Sequence, residues 1–342
     1  LTRTLCECFI VFRLDFTERL GVIGGVRVGN GSRLRFLLLF SSFLPVTADA
    51  GGRSYTGICE ASAAVAIDAS RVAIASDDFD KILTYDRGKP KPVGQFELGE
   101  VSDVEAAARI GDMIFWLTSH SLNKDGDDKK KRKVLFATKV TVNGDLESAG
   151  TFYRNLRSDL AGALGRTDDR LAPGLNIEGM ADTPEGHLLI GLRGPETLPG
   201  DRAILVEIDN PLELVSLAPG VNAAAKIGRI VTLDLSDGPG TRGRGVRDIV
   251  RVDDRYIIIG GSEPDGGNPP PKLFWWDGKT GDDATVGPPA NFSGMTPEAI
   301  VAWSNHEGEV FSDNGGTVIQ GSECSDKKPP SGAFFPAVDI QF

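Results

Sequence analysis

From residue 60 onward the apolar residues fall in short runs of strand length rather than at helical spacing, and the runs recur in a fixed order. Each unit opens on a carboxylate and a small or apolar residue, continues through an apolar run, a tight turn and a second apolar run, and closes on a polar cluster. Five such units run from Glu60-Ala61 to Ser76-Asp77-Asp78, from Glu105-Ala106 to Ser119-His120-Ser121, from Glu178-Gly179 to Leu192-Arg193-Gly194, from Asp248-Ile249 to Ser262-Glu263-Pro264, and from Glu298-Ala299 to Ser312-Asp313-Asn314. In four of them the residue 15 positions after the leading carboxylate is polar: His120, Arg193, Glu263 and Asp313. In the first the matching step is 17, to Asp77, around a turn at Asp68-Ala69-Ser70. A third strand-like run follows each cluster, at Ile82 to Tyr85, Val134 to Ala137, Ala203 to Ile208, Leu273 to Trp276 and Phe335 to Ile340, and a fourth is visible at Ile230 to Leu233.

Radially repeated units of about four antiparallel strands predict an all-β fold, a β-propeller. Five blades are expected. The intervals between leading carboxylates, 45, 73, 70 and 50, leave room for a sixth, although Arg154 to Arg166 reads as a short helical insertion. Two separate β-sandwiches are the competing architecture, and they do not account for the repeated spacing. Ring closure should pair the segment before Glu60 with strands of the last unit.

Ahead of the repeats, Arg33 and Arg35 precede an apolar run from Phe36 to Val46, followed by Ala48-Asp49-Ala50. A basic flank, a short apolar run and a small-x-small site predict a secretory signal peptide over about 33–50, with residues 1–32 upstream of it; a buried strand or helix is the alternative. Cleavage after Ala50 would leave residues 51–342 as a single propeller domain in the periplasm or outside the cell. The net charge of −11 then becomes −13, because residues 1–50 carry 6 basic and 4 acidic side chains. Such a balance disfavours nucleic acid and anionic membranes as partners. No membrane span is expected in the mature chain, and a monomer is expected. The 42 glycines are the compositional outlier and fit a turn-rich ring. Cys59 and Cys324 remain after cleavage, one near each end, and read as a disulfide in an oxidising compartment, two unpaired buried thiols being the alternative.

A hairpin returns the chain to the edge where it began, so the residues that open and close each unit should meet at one end of the ring. That mouth is expected to gather Glu60, Asp77, Glu105, Glu178, Asp248, Glu263, Glu298 and Asp313, with His120 and Arg193 among them. Eight carboxylates against one arginine leave about −7, which calls for raised pKa values or a bound cation. Oxygen donors without thiolates or clustered imidazoles suit Ca²⁺ or Mg²⁺. Arg193 is the candidate grip for a small anionic molecule and His120 the candidate general acid/base. The alternative is that the acids cap backbone amides and hold blades in register, with Glu178 and Arg193 an internal ion pair. His187 and His306 fall in turns at the other end. The stretch from Asn123 to Asp128 has calcium-like oxygen spacing but lacks the distal glutamate of an EF-hand and reads as a solvated loop; the basic run Lys129 to Lys133 that follows, without interleaved aromatics, makes no nucleic-acid site; the glycine-rich Gly238 to Gly245 reads as a flexible surface loop, an anion cradle being the alternative.

The segments Asn176-Ile177-Glu178-Gly179-Met180, Leu189 to Pro195 and Ser119-His120-Ser121 resemble a family of exported bacterial proteins catalogued as a domain of unknown function, over about residue 57 to the C-terminus. At the level of the repeat, the chain is similar to the esterase-like phytase propellers. The first resemblance brings no catalytic residues with it. Two functions are therefore expected in competition: a divalent-metal-dependent hydrolase of a phosphoester, ester or lactone, and a non-catalytic propeller that binds a ligand or a protein partner.

Overall fold

Alternating apolar runs joined by tight turns give each unit a four-stranded antiparallel sheet. In the computed structural model the described residues are 52–194, 202–216, 223–262, 267–325 and 330–342. The expected leader over 33–50 and the candidate Glu263 lie outside them. The chain divides into Leu1–Thr47, also outside the described residues, and Ala48–Phe342.

A first strand, β1 (Arg53–Thr56), precedes blade one, which is β2 (Ala63–Asp68), β3 (Arg71–Ala75), β4 (Lys81–Asp86) and β5 (Pro92–Glu97). Blade two is β6 (Val104–Ile110), β7 (Met113–Thr118), β8 (Leu135–Val140) and β9 (Leu146–Tyr153). The insertion that follows is helical, α1 (Leu156–Ala163) and α2 (Asp168–Leu171). Blade three is β10 (Asn176–Asp182), β11 (Leu188–Gly194), β12 (Ala203–Ile208) and β13 (Ile227–Leu233), with α3 (Pro211–Leu214) between the last two. Blade four is β14 (Gly245–Val252), β15 (Arg255–Gly261), β16 (Lys272–Trp276) and β17 (Thr285–Val286). Blade five starts with β18 (Thr296–Ala302) and β19 (Glu307–Asp313), makes a small hairpin of β20 (Val318–Ile319) and β21 (Ser322–Glu323), and continues with β22 (Phe334–Gln341). Its outermost strand is β1, which pairs antiparallel with β22 from Arg53 opposite Ala337 to Thr56 opposite Phe334. The architecture is a five-bladed β-propeller, and the helical insertion occupies the interval that left room for a sixth blade.

The apolar residues explain why the sheets form a ring. Each inner strand buries side chains on both faces, and the five large core clusters each lie between two neighbouring blades: one and two, two and three, three and four, four and five, five and one. No blade could bury its faces alone. At the closing seam Tyr55 of β1 stacks on Phe335 with ring centroids 5.4 Å apart and meets Tyr85 of blade one edge-on at 5.3 Å. The Tyr55 hydroxyl donates to buried Glu309 at 2.9 Å, and the Trp303 indole donates to the other carboxylate oxygen at 3.2 Å. The Cys59–Cys324 disulfide joins the segment after β1 to the excursion before β22. No helix among the described residues is long and apolar enough to cross a membrane.

Candidate functional site

Four of the five blades carry the same backbone irregularity at the start of the innermost strand. In β6 the pairing steps from Val104 opposite Thr118 to Ala106 opposite Leu117, so Glu105 is an extra residue in a bulge. The steps from Ile177 to Gly179, Val246 to Asp248 and Pro297 to Ala299 single out Glu178, Arg247 and Glu298 in the same way. A bulge bends its strand and re-aims one side chain. Three of these residues, Glu105, Glu178 and Glu298, line one cavity at the ring's end. In blade one the shift lies at the far end of β2, and Glu60 reaches the cavity from the segment ahead of the strand.

The cavity has a volume of about 760 Å³. Glu60, Asp77, Glu105, Glu178, Glu298, Asp313 and Arg193 line it together, as the repeat spacing expected. Asp248 does not. The blade-four residue equivalent to the leading glutamates is Arg247, one position earlier, and Asp248 is buried as a backbone acceptor, bonding the amides of Ile249 and, across to blade five, Ile300, both at 2.8 Å. That is the capping role weighed against ligand binding in the sequence. His120 is also set apart from the cavity wall. It is fully buried, in the left-handed backbone region at φ 58°, and its Nδ1 donates to the Thr118 carbonyl at 2.9 Å. Burial pushes its pKa down to about 4, so the ring is neutral at pH 7.

The mouth is less one-sided than eight acids against one arginine. Nine carboxylates line it, but so do five cationic side chains, four of them from the loop between β7 and β8: Lys124, Lys129, Lys131 and Arg132. This loop is solvated as expected, with residues 124–131 exposed, and it is also strapped down. Buried Arg157 of α1 donates to Asp128 at 2.8 Å and Asp168 at 2.7 Å, Arg154 donates to the Lys130 carbonyl at 2.7 Å, and the His120 amide donates to the Arg132 carbonyl at 3.0 Å.

Arginines then neutralise particular acids. Arg193 bonds Glu178 at 2.5 Å, Arg247 bonds Glu298 at 2.5 Å, and Arg132 bonds Asp103 at 2.5 Å. Asp103 was not legible as a site residue. It is buried, sits at φ 68°, accepts the Ser119 hydroxyl, and has its pKa raised by burial to about 7. No arginine or lysine pairs, among the described residues, with Glu60, Asp77, Asp78 or Asp313. Burial, and then the neighbouring Asp77, Asp313 and Asp78, push Glu60 up to about 11, and burial with Asp77 raises Asp78 to about 6. Carboxylate oxygens of Glu60, Asp77 and Asp78 lie within 4.8 Å of one another, as do those of Asp77, Asp103 and Glu105. Gly315 leaves room beside them, since a Cβ there would meet the Glu60 carboxylate where it lies. The Gly238 to Gly245 loop does not offer an anion cradle through Arg244, whose buried guanidinium is bonded to the Leu235 and Pro270 carbonyls and to Asp237.

No family model and no curated protein matches the chain. Solved structures align over most of the chain at low similarity. Glutaminyl cyclase of Myxococcus xanthus aligns with a TM-score of 0.46 and 12% identity over 85% of this chain and 95% of its own. The PQQ-bound aldose sugar dehydrogenase of Streptomyces coelicolor aligns with a TM-score of 0.44 and 12% identity over 85% of this chain and 99% of its own.

Proposed function

We propose that the protein is an exported hydrolase that uses a hard divalent cation, Ca²⁺ or Mg²⁺, at the propeller mouth to act on a small anionic substrate, a phosphoester before an ester or lactone. The observation that carries this reading is the uneven pairing of the mouth. Arginines hold Glu178, Glu298 and Asp103, while Glu60, Asp77, Asp78 and Asp313 make no salt bridge among the described residues, Arg132 and Lys124 acting on Asp78 and Arg247 on Asp313 only at longer range. Their donors are all carboxylate oxygens, the set that suits Ca²⁺ or Mg²⁺ over zinc. A cation bound there would offset the repulsion, polarise a substrate oxygen and lower the pKa of a water molecule.

The protein's own residues supply the rest. Lys124 and Lys131 line the cavity with the acids and attract the anionic group, which Arg193 receives through its planar guanidinium. Asp103, buried on the cavity wall beside Ser119, is placed to move a proton at its carboxylate. His120 acts behind it, its amide holding the Arg132 carbonyl. The Cys59–Cys324 bond supports export, because such bonds persist in oxidising compartments. A non-catalytic binding propeller is the second reading, favoured by Asp248, whose carboxylate bonds backbone amides.

The test is a calorimetric titration of the protein with Ca²⁺ and Mg²⁺, followed by a phosphomonoester and ester panel. Binding abolished by Asp77→Asn, and cation-dependent turnover lost in Arg193→Ala with cation binding retained, is the expected result. Cation binding without turnover on any substrate leaves the binding propeller; no cation binding at all ends the metal reading.

A further inference from the structure

The first turn of blade three, at the end of the ring away from the acidic mouth, brings together three side chains of mixed chemistry. His187 lies in the turn between β10 and β11, Glu207 on β12, and Asp209 just beyond it. The antiparallel register sets Leu189 opposite Glu207 and Leu188 opposite Ile208, which carries the turn to the end of β12. His187 Nδ1 is 2.7 Å from Glu207 Oε1 and 3.6 Å from Asp209 Oδ1, and one donor atom from each residue falls within 4.8 Å of the other two.

We infer that His187, Glu207 and Asp209 form a site for a transition-metal dication of the zinc class, separate from the acidic mouth. One imidazole nitrogen with two carboxylate oxygens is a borderline donor set, unlike the all-oxygen mouth, and three protein ligands leave a position for water. The surroundings hold the donors in place. Glu207 is buried, and its second oxygen, Oε2, accepts from Arg229 Nε, whose guanidinium is anchored on the Gly278 carbonyl of blade four. The arginine thereby turns Oε1 toward the histidine, the kind of outer contact that orients a ligating carboxylate. Gly228 is the second support: a Cβ at that position would meet the Asp209 carboxylate, and the glycine leaves it room against β13. The Asp209 amide donates to the Lys226 carbonyl at 2.9 Å and fixes the backbone. His187 is 28% and Asp209 41% exposed, so water reaches the open side. Without metal, a proton on the imidazole satisfies the same carboxylate, and metal and proton compete for Nδ1.

The test is titration of the tag-free protein with Zn²⁺ against a chromogenic chelator in excess Ca²⁺, with histidine side-chain ¹⁵N spectra recorded alongside. Wild type should take up one zinc with a shift at His187 and none at His306. His187→Ala should abolish this uptake, and the near-isosteric Asp209→Asn should weaken it at least about tenfold. Asp77→Asn, in the mouth, should leave it unchanged, which separates this site from the proposed cation of the mouth. Zinc uptake unaffected by both His187→Ala and Asp209→Asn, or no uptake by the folded wild type, overturns the assignment.

Discussion

Removing cations from the buffer should make the protein lose stability as pH rises from 7 to 9, and Glu60 is one cause, with the fully buried Glu105 and Asp248 raised in the same direction by burial. The Glu60 carboxyl is held at about 11 in the folded ring, against 4.5 for an ordinary glutamate, first by burial and then by Asp77, Asp313 and Asp78. A raised folded pKa means that the native state holds a proton the unfolded chain has released. The stabilisation is complete below pH 4.5 and is lost progressively as pH climbs toward 11. A proton held throughout that window is worth on the order of 1 kcal/mol per pH unit, so Glu60 contributes at most a few kcal/mol between pH 7 and 9. Glu298, raised to about 8 by burial, adds about 1 kcal/mol in the first of those units. The window is free of opposing groups. His120, lowered to about 4, has finished its opposite contribution above pH 6.5; Asp128, lowered to about 2, matters only in acid; and the buried tyrosines begin to titrate above 10. At roughly 2 °C per kcal/mol for a domain of this size, the melting temperature in chelator should fall by about 5 °C or more. Saturating Ca²⁺ or Mg²⁺ should reduce the slope, and Glu60→Gln should make it shallower without metal. A melting temperature that is constant or rises from pH 7 to 9 in chelator, or a Glu60→Gln variant with the wild-type slope, refutes the account of the mouth.

Three further outcomes follow from the seams of the ring. Cys59→Ser with Cys324→Ser should cost about 3 to 5 kcal/mol in denaturant unfolding, the entropy of a very long loop, with the circular dichroism of the folded state unchanged. Asp248→Asn turns an amide donor toward backbone donors and should cost about 2 kcal/mol or more in thermal unfolding, while cation affinity measured by calorimetry stays at the wild-type value. Arg157→Ala releases Asp128 and Asp168, and limited trypsin digestion should then cleave within Lys129 to Lys133 at a rate the wild type does not show.

Much of the ring was legible because its signal is periodic. Strand pairs of fixed length recur, so the five blades, the closure and the disulfide followed from spacing and the two terminal cysteines. The gathering of acids also followed, since hairpin geometry places both ends of a unit at one edge. Three features were hidden by physics the period does not carry. A bulge shifts the inward position by one residue, so blade four presents Arg247 where Asp248 was expected. The loop from Lys124 to Arg132 is solvated as read, with residues 124–131 exposed, but its anchors were hidden, because Arg154, just ahead of α1, and Arg157, on α1, lie 24 and 29 residues beyond the Lys130 and Asp128 they hold. His120 sits in a polar cluster that sequence cannot distinguish from a surface one, yet its left-handed backbone turns the ring inward. Asp103 had a usable signal, an acid two residues before a bulge glutamate.

Blade five joins the first and last described strands: β1 supplies its outer edge, and β22 sits between β1 and β19. The four other blades are assembled from continuous sequence and can form as the chain emerges, whereas Arg53 must wait for Ala337. The final blade thus sets a checkpoint on folding order. A chain arrested before residue 334 has blade-sized sheets but no closed circle, leaving the aromatic faces of Tyr55 and Phe311 exposed and prone to self-association.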